Sequence, residues 1–249
     1  MRIGIEIENI TSRNTGGRAV EAVGERLARL GIDATAKYDG SLTAGGVEVV
    51  TRPLARDQVA DTVRRIFGAL AHFDVFADNS CGLHVHVSPD NGQHAIRNTA
   101  RRWVNFEDTL DMLVAPHRRG DACSYARSNV LLFGSDPLSA TRSALWEAAC
   151  NATERELVRM FCPDGRYYKL NLHSLARHGT IEFRNFHGTT CAEDVIGWAL
   201  FAHDFVQVAQ NQDRLWRRPN HRAEPVADRV RKILRDVQPD AARWVRSRV

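Results

Sequence analysis

Five segments of the chain alternate apolar and polar residues with a period of two, which is typical of strands buried on one face. The first begins at Ile3, and the others lie within residues 45–54, 79–89, 167–175 and 179–188. The last two flank an Ala-Arg-His-Gly sequence, which predicts that they form a hairpin. The apolar positions predict the buried face of one sheet: Ile5, Ile7, Val47, Val49, Val85, Val87, Leu170, Leu172, Ile181 and Phe183.

Between these strands, apolar residues recur every three or four positions, which predicts helices. They cover residues 17–31, 56–71, 94–114, 139–161 and 192–210. Gly31 predicts the C-terminal cap of the first helix, and Asp39-Gly40 predicts a turn. Residues 116–129 lack periodicity and are rich in Arg, so we expect a loop there. This order of elements favours an α+β protein with a mostly antiparallel sheet and helices packed on one face.

The opposite face of the predicted sheet collects acidic and imidazole side chains rather than the Thr, Lys and Ser of a solvated face. Its members are Glu6, Glu8, Glu48, His84, His86, Lys169, Asn171, Glu182 and Arg184. Carboxylates crowded on neighbouring strands repel one another unless a cation lies between them. A solvated sheet face is the alternative, but the combination favours a metal site.

The ligand types narrow the choice of ion. Carboxylates with one or two imidazoles suit Mg²⁺ or Mn²⁺ better than zinc. Four Glu residues exceed what one Mg²⁺ normally takes from a protein, so the pattern favours two or more ions bridged by nucleotide phosphates. Arg184, two residues after Glu182, would then neutralise charge on a transferring phosphoryl group. The chain has no GxxxxGK[ST] phosphate loop, so ATP would be held by metals, arginines and sheet residues.

Composition excludes several classes of protein. With 249 residues, 43% hydrophobic and 26% charged, the chain is typical of a globular protein with a full core. It has no apolar run long enough to cross a bilayer, and "MRIGIEIENI" is not a signal peptide, so we expect a cytoplasmic protein without a membrane partner. The five cysteines form no CxxC pair, so neither a disulfide framework nor a thiolate zinc site is indicated.

The C-terminal residues 214–249 are strongly basic. They hold ten Arg, one Lys and four acidic residues, for a formal net charge of +7, whereas residues 1–213 carry −3. The acidic residues interleave at helical spacing and no aromatic platform accompanies them. This favours a solvated or docked amphipathic helix over nucleic-acid binding. Whether the chain forms a homo-oligomer is left open.

Six motifs in order resemble those of the amidoligase family, which are carboxylate–amine ligases with the glutamine synthetase catalytic fold, akin to glutamate–cysteine ligase. The motifs span about residues 3–205 and read GIEIE, DGSL, GVEVVTRPL, CGLHVHVS, RYYKLNLHSL and GTIEFRNFHGT. The resemblance implies a curved sheet with the active site on the face opposite the helices. It also implies an amidoligase-like catalytic domain at 1–213, with a basic helical extension at 214–249 packed on or beside it.

The resemblance further implies an ATP-dependent reaction. A small-molecule or peptide carboxylate attacks the γ-phosphate to give an acyl phosphate, and an amine then displaces phosphate to form an amide. The implied metal ligands are Glu6, Glu8, Glu48, His84 and Glu182. The implied nucleotide contacts are His86 and Ser88, to which we add the sheet residues Lys169 and Asn171. Arg184, with Glu182 and Arg166, is implied as catalytic, and Asp39, Ser41 and Arg127 are expected to bind substrate.

Two other functions stay open at this stage. A phosphotransferase of the same fold, like the guanidino kinases, would keep the metals and arginines but phosphorylate an amine. A non-catalytic nucleotide-binding or metal-binding protein is the third interpretation. The loop 116–129, with Arg118, Arg119, Tyr125 and Arg127, is a candidate lid over an anionic substrate, and a plain surface loop is its alternative.

Overall fold

Every strand pairing in the described part of the chain is antiparallel and belongs to one sheet. The computed structural model describes residues 1–12, 17–43, 46–131, 140–212 and 224–249. The strands are β1 (Ile3–Thr11), β2 (Ala34–Lys37), β3 (Gly46–Thr51), β4 (Val75–Phe76), β5 (Gly82–Val87), β6 (Leu170–Asn171) and β7 (Ile181–His187). The helices are α1 (Gly17–Arg29), α2 (Val59–Leu70), α3 (Gly92–Leu110), α4 (Ala140–Asn151), α5 (Glu154–Phe161), α6 (Ser174–His178), α7 (Ala192–Gln210), α8 (Val226–Ile233) and α9 (Pro239–Arg246).

The strand order is β2-β3-β1-β5-β7-β6, and β4 pairs with the far end of β1. In this register Glu6 lies opposite His84, and Glu8 lies opposite Glu48. His86 of β5 lies opposite Glu182 of β7. Because paired residues of antiparallel strands share a face, the register gathers these side chains on one side of the sheet.

The other side of the sheet packs against helices α1, α3 and α7 and, together with α2 behind them, forms the core. All ten apolar residues that the alternation predicted are buried there. Aromatic rings fill the space between sheet and helices: Trp103 of α3 lies edge-on to Phe183 of β7, with 5.7 Å between ring centroids, and Phe205 of α7 contacts both. The predicted α+β class, with helices on one face of a mostly antiparallel sheet, is confirmed.

Three parts of the chain differ from the predicted secondary structure. Strand β2 was not predicted, because its sequence, ATAK, carries no large apolar residue. The region 139–161, whose first residue lies outside the described part, forms two helices, since Thr153 caps α5 by accepting a hydrogen bond from the Glu156 N–H. The predicted antiparallel pairing of 167–175 with 179–188 is confirmed for β6 and β7, but the tight turn is wrong. Strand β6 is short, and α6 connects it to β7 before ending at Gly179, whose φ is 66°.

Helices α8 and α9 of the basic extension pack against the core, although the predicted boundary at residue 213 lies outside the described residues. Arg102 of α3 is buried and donates hydrogen bonds to the carbonyls of Phe205 (3.2 Å) and Ile233 (2.7 Å), which joins α3, α7 and α8. Arg56 bridges Asp204 of α7 and Asp240 of α9. Among the described helices, none is both long and apolar enough to span a membrane.

Helix α9 approaches α7 at a glycine, which allows a direct test of the packing. A Cβ on Gly197 would lie 2.1 Å from Cγ of Trp244, so we expect Gly197→Ala to lower the free energy of unfolding by about 1–3 kcal/mol. Gly68→Ala in α2 is the matched control: its Cβ meets nothing within 4 Å, and we expect a neutral or slightly stabilising effect of up to about 1 kcal/mol. Urea unfolding measures both, and equal stabilities would contradict this packing.

Candidate active site

Six side chains on the face opposite the helices approach one another closely. We call them the acid–imidazole cluster: Glu6, Glu8, Glu48, His84, His86 and Glu182. Glu6 lies at the centre, with its two oxygens 3.2 Å from Nδ1 of His84 and 3.4 Å from Nε2 of His86. Oε1 of Glu182 lies 3.9 Å and 3.8 Å from the same two ring nitrogens. Oε1 of Glu8 lies 3.7 Å from Nε2 of His84. The cluster thus brings together four strands.

Several members of the cluster are held in place by neighbours. Glu182 accepts hydrogen bonds from Nη1 of Arg184 (2.5 Å) and from Nδ2 of Asn171 (2.6 Å). Nδ1 of His86 lies 2.9 Å from the hydroxyl of Thr180. Nε2 of His86 is buried and makes no well-formed hydrogen bond within the described part of the chain. A buried ring nitrogen that points at two carboxylates in this way is suited to ligate a cation.

Burial and neighbouring charges shift the pKa values of the carboxyl groups in different directions. Burial would raise the pKa of Glu6, but His84 and His86 outweigh it and hold that pKa below its ordinary value. Burial would also raise the pKa of Glu182, but the positive charges of Arg184 and both histidines outweigh burial and lower it. Burial, followed by repulsion from Glu6 and Glu8, raises the pKa of Glu48 to about 8. Lys37, which lies opposite Glu48 on β2, lowers the pKa of Glu48 but does not outweigh burial and repulsion.

The donor atoms fit hard divalent cations. Three groups of residues have ligand atoms that all lie within 4.8 Å of one another. These groups are Glu6–His86–Glu182, Glu6–Glu48–His84 and Glu8–Asp39–Glu48. Carboxylate oxygens with imidazole nitrogens suit Mg²⁺ or Mn²⁺, and a cation beside Glu48 would offset the repulsion from Glu6 and Glu8.

A cavity of about 1000 Å³ opens above the cluster. Its walls carry several cations, namely Arg2, Lys37, Arg166 and Arg177, for which the described residues provide no ion-pair partner. His173 and His178 lie at the α6 end, where the His178 ring is edge-on to His86 with centroids 5.8 Å apart. The cavity therefore combines an acidic floor with basic walls, an arrangement suited to an anionic ligand held together with divalent cations.

The structure brings most of the predicted site residues to this cavity. Those that line it are Glu6, Asp39, Glu48, His84, His86, Ser88, Arg166, Asn171, Glu182 and Arg184. Glu8 is buried beneath it, against His84. The oxygen of Ser88 accepts a hydrogen bond from the backbone N–H of Arg2 at 2.7 Å, which fixes the N-terminal edge of the cavity.

Besides Glu8, three predicted residues do not line the cavity. Lys169 is fully buried, and its Nζ pairs with Asp111 at 2.5 Å instead of facing a nucleotide. Arg127 makes a two-pronged ion pair with Asp164, so its guanidinium is already occupied. Ser41 donates its hydroxyl hydrogen to Oδ1 of Asp39 at 2.7 Å, which places it in the turn that orients Asp39.

The lid interpretation of loop 116–129 is wrong for Arg118. This residue is 2% exposed, in a short 3₁₀ helix at Pro116–Arg118, and donates a hydrogen bond from Nη2 to the Cys81 carbonyl at 2.6 Å. Arg119 donates to the Val114 carbonyl at 3.0 Å. Tyr125 is 47% exposed. The loop thus packs against the sheet through at least one of its arginines.

Several cavity residues were missed from the sequence: Arg2, Lys37, His173, Arg177, His178 and Thr180. Arg177 and His178 belong to α6, which the alternating pattern had assigned to a hairpin. Lys37 belongs to β2, which has no apolar signal. Arg2 directly precedes the ExE strand, and this is the one signal that could have indicated its position.

Taken together, the sheet face defines a candidate divalent-cation site beneath a basic cavity. The chain belongs to the amidoligase family: the family profile described as "Putative amidoligase enzyme" matches residues 29–206. This is a family of amide-forming ligases, and the match includes Glu48, both histidines, Glu182 and Arg184. Strand β1, which carries Glu6 and Glu8, precedes the matched region.

The chain is also similar to solved structures of ligases at low sequence identity. One is a bifunctional glutathione synthetase from Pasteurella multocida, at 12% identity and a TM-score of 0.47, covering 99% of this chain and 46% of that one. Another is a GmaS–ADP complex, at 12% identity and a TM-score of 0.41, covering 99% of this chain and 68% of that one. The chain thus spans slightly less than half the length of the glutathione synthetase. A comparison with curated proteins gives no match.

Proposed function

We propose that this protein is an ATP-dependent carboxylate–amine ligase that forms an amide bond through an acyl phosphate, with two or more Mg²⁺ or Mn²⁺ ions. The family supports the ligase class. The observation that carries the finer proposal is the joint placement of the acid–imidazole cluster and several arginines around one cavity. Divalent cations on an acidic floor and arginines on the walls are two means by which proteins hold the phosphates of ATP when no phosphate loop is present.

In this proposal Glu6, Glu8, Glu48, His84 and Glu182 hold the cations, and His86 adds Nε2, which faces Glu6 and Glu182. Bound cations would neutralise phosphate oxygens and polarise the γ-phosphorus. Asn171 and Arg184 orient Glu182 from two sides, so this carboxylate is presented with little freedom to rotate. For the domain organisation, we likewise propose a catalytic domain at residues 1–213 and an extension at residues 214–249 that packs on it.

Arg184 is the proposed catalytic arginine. Its Nη1 is fixed by Glu182, while the side chain borders the cavity. A carboxylate oxygen of the substrate attacks the γ-phosphorus, the bond to the bridging oxygen breaks, and ADP leaves. Negative charge shifts during this transfer, and a preorganised guanidinium stabilises it without reorganisation.

The second step consumes the acyl phosphate. The amine nitrogen attacks the carbonyl carbon, inorganic phosphate departs, and the nitrogen loses a proton to give the amide. Arg166 and Arg177 on the cavity wall are suited to bind the substrate carboxylate or the departing phosphate. Asp39, at the β2 end of the cavity, is suited to bind the amine as an ammonium group, and Ser41 holds it in place.

A phosphate-release screen tests the proposal. With ATP and Mg²⁺, pairs of small carboxylates and amines are tested, and we expect release of inorganic phosphate only when both are present and no chelator is added. Mass analysis should then show an adduct lighter than the sum of the two substrates by one water. ADP without free phosphate, with a phosphorylated amine, would show a phosphotransferase instead. Failure to bind Mg²⁺ with ADP would contradict the proposal altogether.

A further inference from the structure

One peptide group connects a buried arginine to the acid–imidazole cluster. Oε2 of Glu8 accepts a hydrogen bond from the backbone N–H of Gly82 at 2.5 Å. The carbonyl of Cys81, which belongs to the same peptide group, accepts hydrogen bonds from Nη2 of Arg118 at 2.6 Å and from the backbone N–H of Gly188 at 2.8 Å. The guanidinium and the carboxylate therefore contact opposite ends of a single amide.

The space around Gly82 shows why a glycine is needed at this position. A Cβ there would lie 3.0 Å from Nε2 of His84, and 3.2 Å from both Nη2 of Arg118 and Oε2 of Glu8. An imidazole, a guanidinium and a carboxylate thus converge over one backbone atom. A methyl group would force at least one of them to move, because real Cβ atoms rarely tolerate such contacts.

The shared peptide group lets Arg118 strengthen the hydrogen bond that holds Glu8. A guanidinium at the carbonyl oxygen polarises the amide, so its N–H becomes a stronger hydrogen-bond donor. Arg118 and Glu8 are both nearly inaccessible to solvent, at 2% and 4% exposed, so water does not screen the interaction. The arginine consequently acts on Glu8 through the peptide group rather than through an ion pair.

We propose that Arg118 is a positioning residue, which orients Glu8 as a cation ligand through the Cys81–Gly82 peptide group. This inference rests on the cation site of the proposed function. It gives the 3₁₀ helix at Pro116–Arg118 a role in metal affinity, since this helix places the arginine at the start of β5. The N–H of Gly82 donates a hydrogen bond to Oε2 of Glu8. The other oxygen, Oε1, faces His84 and is available to ligate a cation.

Titration with Mn²⁺ in the absence of nucleotide, by calorimetry, tests the proposal. We expect Arg118→Gln to weaken Mn²⁺ binding about 10–100-fold, the size seen when the partners that orient metal ligands are removed. Arg119→Gln is the matched control, because its exposed side chain contacts the Val114 carbonyl in the same loop, and we expect no more than about a twofold effect. A double-mutant cycle with Glu8→Gln separates positioning from general stability.

If Arg118 acts through Glu8, Arg118→Gln should cause little further loss of Mn²⁺ affinity in the Glu8→Gln background. Gly82→Ala keeps both charged groups but disturbs the shared peptide group, and it should weaken Mn²⁺ binding as well, which tests the same relay should Arg118→Gln fail to fold. Unchanged affinity in the Arg118 and Gly82 variants, or fully additive losses in the cycle, would overturn the inference while the proposed function stands. A wild-type protein that binds no Mn²⁺ would overturn both.

Discussion

Turnover should fall by at least about 10²–10³-fold when Glu182 is replaced by Gln or Arg184 by Ala, with the fold retained. Glu182 lies near both histidines of the cluster, and Arg184 is the cavity arginine fixed to it. Each replacement leaves one member of the pair in place, and that member still has opposite charges nearby. In Arg184→Ala, Glu182 remains near the two histidines, and in Glu182→Gln, Arg184 remains near Glu6 and Glu8. The loss should therefore appear in chemistry and not in folding.

The measurement is phosphate release with an active pair of substrates, together with circular dichroism to confirm the fold. Arg64 and Glu193 offer a matched control, because they form an ion pair of the same residue types that is more than half exposed and distant from the cavity. Arg64→Ala and Glu193→Gln should retain wild-type rates, since exposed pairs contribute little. Wild-type rates in both the Glu182 and the Arg184 variants would show that the Glu182–Arg184 ion pair takes no part in the reaction.

Deletion of residues 224–249 should prevent the protein from folding stably. The deletion removes part of the core, including these buried residues: Val230, Ile233, Leu234, Ala241, Ala242 and Val245. It also removes the Ile233 carbonyl from Arg102, leaving a buried guanidinium with one hydrogen-bond partner fewer. Truncating one large apolar side chain in a core lowers the free energy of unfolding by about 2–5 kcal/mol. The total free energy of unfolding of a domain is roughly 5–15 kcal/mol.

Thermal unfolding and gel filtration measure the effect of this truncation. Arg243→Ala and Arg246→Ala are the controls, because both side chains are exposed on α9 and carry the basic charge of the extension without packing in the core. Their melting temperatures should stay within a few degrees of wild type. A truncated protein with an unchanged melting temperature would mean that α8 and α9 are dispensable for the fold.

The sheet could be predicted because the alternation of apolar and polar residues determines which side chains of each strand face the core. Alternation put Ile5 and Val85 in the core and Glu6 and His84 opposite, whatever the neighbours of the strand. Helix α7, at residues 192–210, was predicted to the residue for a similar reason, since its apolar spacing is long and uninterrupted. The cluster followed from the strands, because side chains on one face of paired strands must be neighbours.

Other features depend on partners far along the chain. Lys169 continues the alternation of the site face, yet it pairs with Asp111, 58 positions away, and no local pattern indicates that pairing. Arg127 and Asp164 are a similar case, at a separation of 37 positions. Burial of Arg118 could not be foreseen either, because an arginine in a loop without periodicity is usually solvated.

The position of β1 in the middle of the sheet affects how the chain acquires its structure. Residues 3–11 pair with residues 82–87, and these in turn pair with residues 181–187. Strand β1 therefore cannot complete its pairing until residue 87 has been synthesised, and β5 cannot complete its own until residue 187 has. Such long-range pairing slows folding, and we expect a folding rate nearer to all-β proteins than to helical bundles of equal size. During synthesis, an acidic and isoleucine-rich strand with open edges is exposed to aggregation or to chaperones.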